Sequence, residues 1–303
     1  MDSKVRQHLS TIIVVIALIV GVGLMAYPTV SDWWNSFHQS RAVASYSDAV
    51  NQLDTESYEK LWTDAEAYNA TLAGRTPSFT LSDDERVAYE AQLNVEGNGV
   101  MGYLEVPPIN VKLPIYHGTD EAVLQVAIGH IEGSSLPVGG EGTHCVVSGH
   151  RGLPSARLLT DLDKMVEGDT FMLHTLNETL TYEVDQIRIV EPHEVEELTI
   201  VPGEDLCTLV TCTPYGVNSH RLLVRGHRVP TVNVANIEQE AEQISPLLVA
   251  SAIGVPALMA LLAAALIMTR RRPEVGLESL KGEGSDGSSN DAGSSGTSDS
   301  TKN

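Results

Sequence analysis

The chain has 303 residues, of which 42% are hydrophobic and 5% aromatic, so it has apolar material for one sizeable core and for membrane segments. Its formal net charge is -21, and residues 28–245 contain 33 Asp and Glu against 12 Lys and Arg. Nucleic acids and anionic lipids bind clustered Lys and Arg, so this balance argues against nucleic acid as a partner and against tight docking of the acidic part on anionic lipid.

The N-terminal segment 11–27 is predicted to span a membrane. It reads TIIVVIALIVGVGLMAY, without a charge, after Lys4 and Arg6, and a spanning helix needs about 17–25 apolar residues. A cleaved signal peptide is the alternative, but it needs a small-residue cleavage site, and the sequence MAYP is a poor one. We therefore expect an uncleaved anchor after a cytoplasmic N-terminus at residues 1–10.

A second span is predicted at 246–269, after a linker at 233–245. It reads PLLVASAIGVPALMALLAAALIMT, and three Arg at 270–272 follow it. Its length and these Arg disfavour a buried core helix. Because Lys and Arg mark the cytoplasmic side, both termini should be cytoplasmic and the acidic middle extracellular. Residues 270–303 are then a basic stop and a tail, which from 282 has the composition of a disordered segment.

The extracellular part divides into a helical region, 28–98, and a strand-rich region, 99–232. Apolar residues at spacings of three and four predict a helix over 38–73. Ser82 with Glu85 predicts a capping box that opens a second helix. Further helices are expected at about 119–130 and 155–165. Many short strands with turn signals predict a small closed barrel. The predicted strands are 100–106, 111–116, 144–149, 170–175, 179–190, 206–212 and 221–229.

The strongest candidate for chemistry is Cys212, which ends an apolar strand, Thr208–Cys212. A turn follows, and a second strand begins near Arg221. If the two strands pair as a hairpin, Arg221 lies opposite Cys212. A cation beside a thiol favours the reactive thiolate, and the same guanidinium can hold a carbonyl oxygen whose negative charge grows during attack.

A nucleophilic Cys also needs a proton carrier, and His150 is the candidate. It follows the strand that starts at Cys145 and is flanked by Gly149 and Gly152, so we expect it on a barrel rim. There it can protonate a leaving amine and later deprotonate an incoming one. Each of these residues alone is more simply explained as structural; the prediction rests on their combination.

Three segments resemble those of sortases: TLVTCTPYGVNSHRLLVRGHRV, GTHCVVSGHRGLPSARLLTDLD and GVMGYLEVPPINVKLPIYHGT. The resemblance covers about residues 38–230 and is to class C, the pilin polymerases, in which a second span is a further trait. It implies a mainly β, sortase-type closed barrel of about eight strands, with a helical lid region before it. By position it implies Cys212 as nucleophile, His150 as general acid/base and Arg221 as oxyanion and substrate support.

The resemblance also implies the partners. The substrate is a pilin or other surface protein with an LPXTG-like sorting signal, cut between Thr and Gly. The acceptor is an amine, with a pilin Lys as our expectation. No cofactor and no metal are implied.

A lid over the active site is expected at about residues 75–79. Class C sortases usually have an Asp-Pro-aromatic motif there; this chain has Pro77 and Phe79, but the Asp is absent and a Ser is inserted. Phe79 is the candidate cover for the thiol, and because the Asp is absent we expect this cover to open readily. The alternative is an ordinary linker.

The remaining Cys and His residues are interpreted as structural. Cys145 and Cys207 match no functional position, and Cys207 should lie on the opposite strand face from Cys212. Outside the cell a Cys145–Cys207 disulfide is a minor alternative. The spacing of His117, His130, His144 and His220 is not typical of a metal site.

Three other functions are weighed. A housekeeping sortase, which transfers proteins to peptidoglycan, is disfavoured by the lid-like insertion and the second span. A cysteine peptidase would resolve the thioester with water. An anchored surface protein without activity needs an LPXTG-like signal before its span, and residues 243–247 read QISPL.

Overall fold

The computed structural model describes residues 3–74 and 78–231, together with the isolated positions 254 and 261. Eight β-strands form one closed barrel, which confirms the barrel part of the predicted fold. The strands are β1 (Val100–Val106), β2 (Val111–His117), β3 (Ile128–His130), β4 (Thr143–Ser148), β5 (Thr170–Thr175), β6 (Glu178–Val190), β7 (Asp205–Thr213) and β8 (His220–Val229).

Around the barrel the strands follow the order β1-β2-β3-β4-β7-β8-β6-β5. The pairs β2–β3 and β4–β7 are parallel, and the other pairs are antiparallel. In the β4–β7 pair, Thr143 lies beside Asp205 and Ser148 beside Val210. Because parallel strands run in the same direction, β4 and β7 deliver their C-terminal ends to the same rim of the barrel.

The barrel interior is the main core. Strand alternation directs every second side chain inward, and β5, β6 and β7 supply large apolar groups to this core. The rings of Phe171 and Tyr182 stack with centroids 5.6 Å apart. Fully buried side chains of this core also include Leu104, Ile115, Leu159, Leu173, Leu209 and Val224.

Four α-helices accompany the barrel within the described residues. They are α1 (Ser3–Asn51), α2 (Thr55–Leu72), α3 (Asp83–Glu90) and α4 (Glu121–Leu124). The predicted N-terminal span lies in α1, whose apolar window has a mean hydropathy of 2.4 and no buried residue. The predicted second span, 246–269, lies outside the described residues except for two isolated positions.

The helical region is fixed to the barrel by a few buried polar contacts. The Tyr46 hydroxyl of α1 accepts a hydrogen bond from the Leu176 amide (2.7 Å) and donates to the Met101 carbonyl (3.1 Å). The Asn69 side chain of α2 binds both the amide and the carbonyl of Leu136, at 2.7 and 3.2 Å. Such bonds satisfy buried backbone groups that would otherwise be costly.

The capping box predicted for α3 is present. The Ser82 hydroxyl accepts from the Glu85 amide, and the Glu85 carboxylate accepts from the Ser82 amide at 3.0 Å. The prediction succeeded because all of these bonds lie within four residues of one another.

Three helix predictions need correction. The expected helix at 119–130 is only the short α4, and its last part is strand β3. Gly129 of β3 packs so closely that an added Cβ would lie 2.0 Å from the Gly118 carbonyl oxygen. No α-helix forms at 155–165, where turns and a 3-10 helix, Leu162–Lys164, occur instead. The predicted helix over 38–73 is broken at 52–54, where Asp54 caps α2.

Candidate active site

The predicted hairpin of Cys212 and Arg221 is present. Strands β7 and β8 pair antiparallel, and their register sets Cys212 directly opposite Arg221. Residues paired in this way project to the same side of the sheet. Cys212 is the last residue but one of β7, and it is half-buried, in contrast to the buried Cys145 and Cys207.

His150 is the next residue but one after the end of β4. The Gly149 amide donates to the Val210 carbonyl at 3.1 Å, and the Thr211 hydroxyl donates to the Gly149 carbonyl at 2.8 Å. These bonds hold Gly149, the residue before His150, against Val210 and Thr211, next to Cys212. The structure therefore places the three predicted site residues on adjoining strand ends.

One ring nitrogen of His150 makes no hydrogen bond within the described residues. Its Nε2 atom is shielded from solvent and has no hydrogen-bond partner among the described residues. The nearest carboxylate is Glu121 of α4, with Oε2 at 3.8 Å, too far for a hydrogen bond. A ring nitrogen of this kind is available to exchange a proton with a bound group.

Arg221 has no ion-pair partner within the described part of the chain. Its Nη1 donates to the carbonyls of His220 (3.2 Å), the first residue of β8, and Asn218 (3.4 Å), in the preceding turn. Arg225, four residues further along β8 and on the same face, instead makes a bidentate pair with Asp185, at 3.0 and 3.1 Å. The positive charge of Arg221 is therefore not matched by a carboxylate beside it.

Arg151 is a site residue that the sequence reasoning missed. Its side chain is only 9% exposed and donates to the Thr213 hydroxyl (3.2 Å) and the Asp163 carboxylate (2.5 Å). Its neighbour Gly152 has φ +78° and lies under the ring of Tyr215, which an added Cβ would meet at 2.8 Å. These contacts fasten the segment after His150 to the end of β7. The adjacency of His150 and Arg151 was the only signal in the sequence.

An apolar cluster covers the outer face of β7 and β8, the strands that carry Cys212 and Arg221. Val210 and Leu223 are paired across β7 and β8, two residues from Cys212 and Arg221 respectively. Phe79 packs against this cluster, so the residue proposed as a cover lies on the same face as the thiol. Pro77 lies outside the described residues. The other members are Ile131, Val146, Val190 and Leu198.

Cys145 and Cys207 occupy the barrel interior, away from this face. They are paired across the parallel strands β4 and β7, and both thiols are free. Burial raises the pKa of the Cys207 thiol well above its ordinary value, so this sulfur stays protonated. Cys207 and Cys212 therefore lie on opposite faces, as strand alternation predicted.

The other histidines make structural contacts. His117 binds the carbonyls of Gly99 and Gln92, His130 contacts the Tyr89 hydroxyl at 2.9 Å, and His144 contacts Thr208. Burial lowers the pKa of His117 and of His144. In the described ranges, no three His, Cys, Asp or Glu side chains are grouped to hold a metal ion.

The chain is similar to known sortases over most of the strand-rich region 99–232. Residues 104–229 match the family model described as the sortase domain. Sortase D of Bacillus subtilis (strain 168) is 30% identical over 166 residues, which is 53% of this chain and 81% of that protein.

Two solved structures are similar in both sequence and fold. Sortase C1 of Streptococcus agalactiae is 54% identical, with a TM-score of 0.62, over 63% of this chain and 100% of that one. Sortase C of Streptococcus pneumoniae is 46% identical, with a TM-score of 0.57, over 63% and 97%.

Proposed function

The chain belongs to the sortase family of cysteine transpeptidases, within its class C, and on that premise we propose that it polymerises pilins. It cleaves an LPXTG-like sorting signal between Thr and Gly and joins the new acyl end to a Lys amine of another pilin subunit. The observation that supports the proposal most is the pairing of Cys212 with Arg221 next to the strand end that precedes His150. The pilin substrate named for the S. pneumoniae relative agrees with it.

The first half of the reaction forms a thioester. The Cys212 thiolate attacks the carbonyl carbon of the Thr–Gly bond, and negative charge moves to the carbonyl oxygen. Arg221, whose charge no neighbouring carboxylate neutralises, stabilises that oxyanion. The C–N bond then breaks, and the departing Gly amine takes a proton from His150.

The second half transfers the acyl group. A Lys amine attacks the thioester carbon, and His150 accepts the proton that the amine loses. The C–S bond breaks, an isopeptide bond forms, and the Cys212 thiolate is restored. The unpartnered Nε2 of His150 suits both proton transfers. No cofactor takes part in either half.

A product analysis tests the proposal. Purified protein is incubated with an LPXTG-like peptide and either a pilin with reactive Lys residues, a peptidoglycan stem-peptide amine, or buffer alone. We expect mass spectrometry to find an isopeptide bond to a pilin Lys as the main product. Preferred transfer to the peptidoglycan amine would indicate a housekeeping sortase, and hydrolysis alone would indicate a peptidase; either result overturns pilin polymerisation.

The membrane arrangement is the second part of the proposal. Residues 11–27 span the membrane, 28–98 carry the lid, 99–232 form the extracellular catalytic domain, and 246–269 span the membrane again. The apolar, unburied window of α1 supports the first span. Protease added to intact protoplasts should digest the middle domain and spare a tag placed after Asn303; digestion of the tag would refute the second span.

The lid is the third part. Phe79 packs on the apolar cluster beside Val210 and Leu223, on the side of β7 that carries Cys212, and this position supports a role as cover. The Ser78 carbonyl approaches Gly133 so closely that an added Cβ there would lie 2.0 Å away. Without the usual Asp, the cover depends on such packing contacts.

A further inference from the structure

The extracellular end of α1 has two different faces. One face binds the barrel: Asp32 accepts a hydrogen bond from the Arg157 amide (2.8 Å), Asn35 donates to the Ser155 carbonyl (2.7 Å), and Gln39 donates to the Val126 carbonyl (2.7 Å).

The opposite face is aromatic and uncovered. Trp33, Trp34 and Phe37 are 54%, 57% and 47% exposed. Trp33 and Phe37 stack at 6.3 Å, and the Arg41 guanidinium lies 5.3 Å from the Phe37 ring centre. We call these three residues the aromatic face. Three large aromatic side chains exposed together on one helix mark a surface that contacts something.

The position of this face along α1 indicates what covers it. The helix is continuous from Ser3 to Asn51, and crossing a hydrocarbon core of about 30 Å takes about 20 residues. The uncharged segment 11–27 therefore lies wholly within the hydrocarbon, and a helix that enters it at Thr11 leaves it a few residues later, at about residue 30. Trp33, Trp34 and Phe37 follow within two turns, at the depth where Trp side chains concentrate in membrane proteins.

The turns of α1 that carry the aromatic face also bind the segment next to the active-site rim. Ser155 and Arg157, which bind α1, belong to the segment that follows His150, and the Leu159 amide donates to the His150 carbonyl at 3.2 Å. Arg151 of this segment binds Thr213 at the end of β7. The level of Asp32 and Asn35 above the membrane therefore sets the level of the catalytic rim.

We propose that the aromatic face of α1 lies in the headgroup layer of the membrane and that it holds the active-site rim at the bilayer surface. The proposal rests on the proposed function, because a sorting signal that precedes a membrane span arrives at this level. Arg41 is the cation that stacks on the aromatic face among the described residues, and residues 28–245 are strongly acidic. The contact should therefore form with uncharged headgroups and should not require anionic lipid.

Fluorescence quenching in vesicles tests the contact. The chain has three Trp, so Trp62→Phe leaves only Trp33 and Trp34. The matched control is Trp33→Phe with Trp34→Phe, which leaves Trp62 of α2, bound to Glu66 at 3.0 Å. Each full-length protein is reconstituted in phosphatidylcholine vesicles with bromine near the headgroup or near the chain end.

We expect shallow bromine to quench most of the Trp33 and Trp34 emission, deep bromine to quench less, and neither to affect Trp62. Absence of quenching, as when a protein partner or a second copy covers the face, would overturn the proposal. Stronger quenching by deep bromine would overturn it too. Flotation of the vesicles separates the causes: protein that floats without quenching keeps the anchor and refutes only the headgroup contact.

An activity assay tests the consequence. Trp33→Ser with Trp34→Ser should lower transfer from a sorting signal anchored in the same vesicles several-fold, and should leave transfer from a soluble peptide unchanged. Equal loss with both substrates would mean that the two Trp act on the fold instead, and no loss with either would refute the positioning role.

Discussion

Two cysteines on one strand have opposite surroundings. Cys207 faces the barrel interior beside Cys145, fully buried, and burial raises its thiol pKa. Cys212, five residues further along β7, faces outward at the rim, opposite Arg221 and beside the end of β4. The same side chain is thus buried and protonated in one place, and in the other partly accessible and paired with a cationic residue; access and a neighbouring cation govern thiol reactivity.

Removal of the Cys212 sulfur gives the largest expected effect. Cys212→Ala should lower transpeptidation by at least about a thousandfold, because no other group can form the thioester. Cys145→Ala and Cys207→Ala should keep most of the activity. The measurement is the rate of amine transfer by the purified variants. Substantial polymer formation by Cys212→Ala would contradict the distinction between the two cysteines.

Removal of the Arg221 charge, opposite Cys212, gives the second-largest expected effect on activity. Arg221→Gln should lower kcat/KM by about 10²–10³, the usual cost of losing an oxyanion donor. Arg225→Gln is the matched control, because Arg225 lies on the same face of β8 but is paired with Asp185. Steady-state kinetics of both variants measure the difference. Equal losses would mean that the effect comes from surface charge in general.

For the free energy of unfolding we expect the opposite order: substitution of Cys207 should cost more than substitution of Cys212. Cys207→Ser buries a hydroxyl in the core and should cost about 1–3 kcal/mol of unfolding free energy. Cys212→Ser, at a half-buried position, should change it by no more than about 0.5 kcal/mol. Denaturant unfolding measures both values. A larger loss for Cys212→Ser would show that the rim residue has a structural role too.

The lid gives the smallest effect. Cys212 should react with a small thiol reagent in the unmodified protein, and less than about tenfold faster in Phe79→Ala, since one partly buried ring contributes about 1 kcal/mol. Phe37→Ala is the control, because that ring lies on α1.

Two outcomes would contradict this account of the lid. A hundredfold acceleration in Phe79→Ala, about 2.7 kcal/mol, would show a tightly shut lid. No acceleration at all would show that Phe79 does not cover the thiol.

The sequence alone determined the features whose contacts are local. The capping box of Ser82 and Glu85 was predicted because its bonds join residues three apart. Seven of the eight strands were predicted from apolar alternation and turn residues. The pairing of Cys212 with Arg221 was predictable because one short turn connects their strands.

Tertiary structure decided the rest, because distant parts of the chain had to meet. Strand β3 has three residues, too few for an alternating pattern in the sequence. It is formed by its pairing with β2 on one side and β4 on the other. The contact of Arg151 with Thr213 joins residues 62 positions apart. The parallel register of β4 and β7, which pairs Ser148 with Val210 and brings the segment of His150 to the end of β7, also depends on distant residues. Local sequence propensity carries no information about such pairings. They depend on which strands become neighbours when the barrel closes around its core.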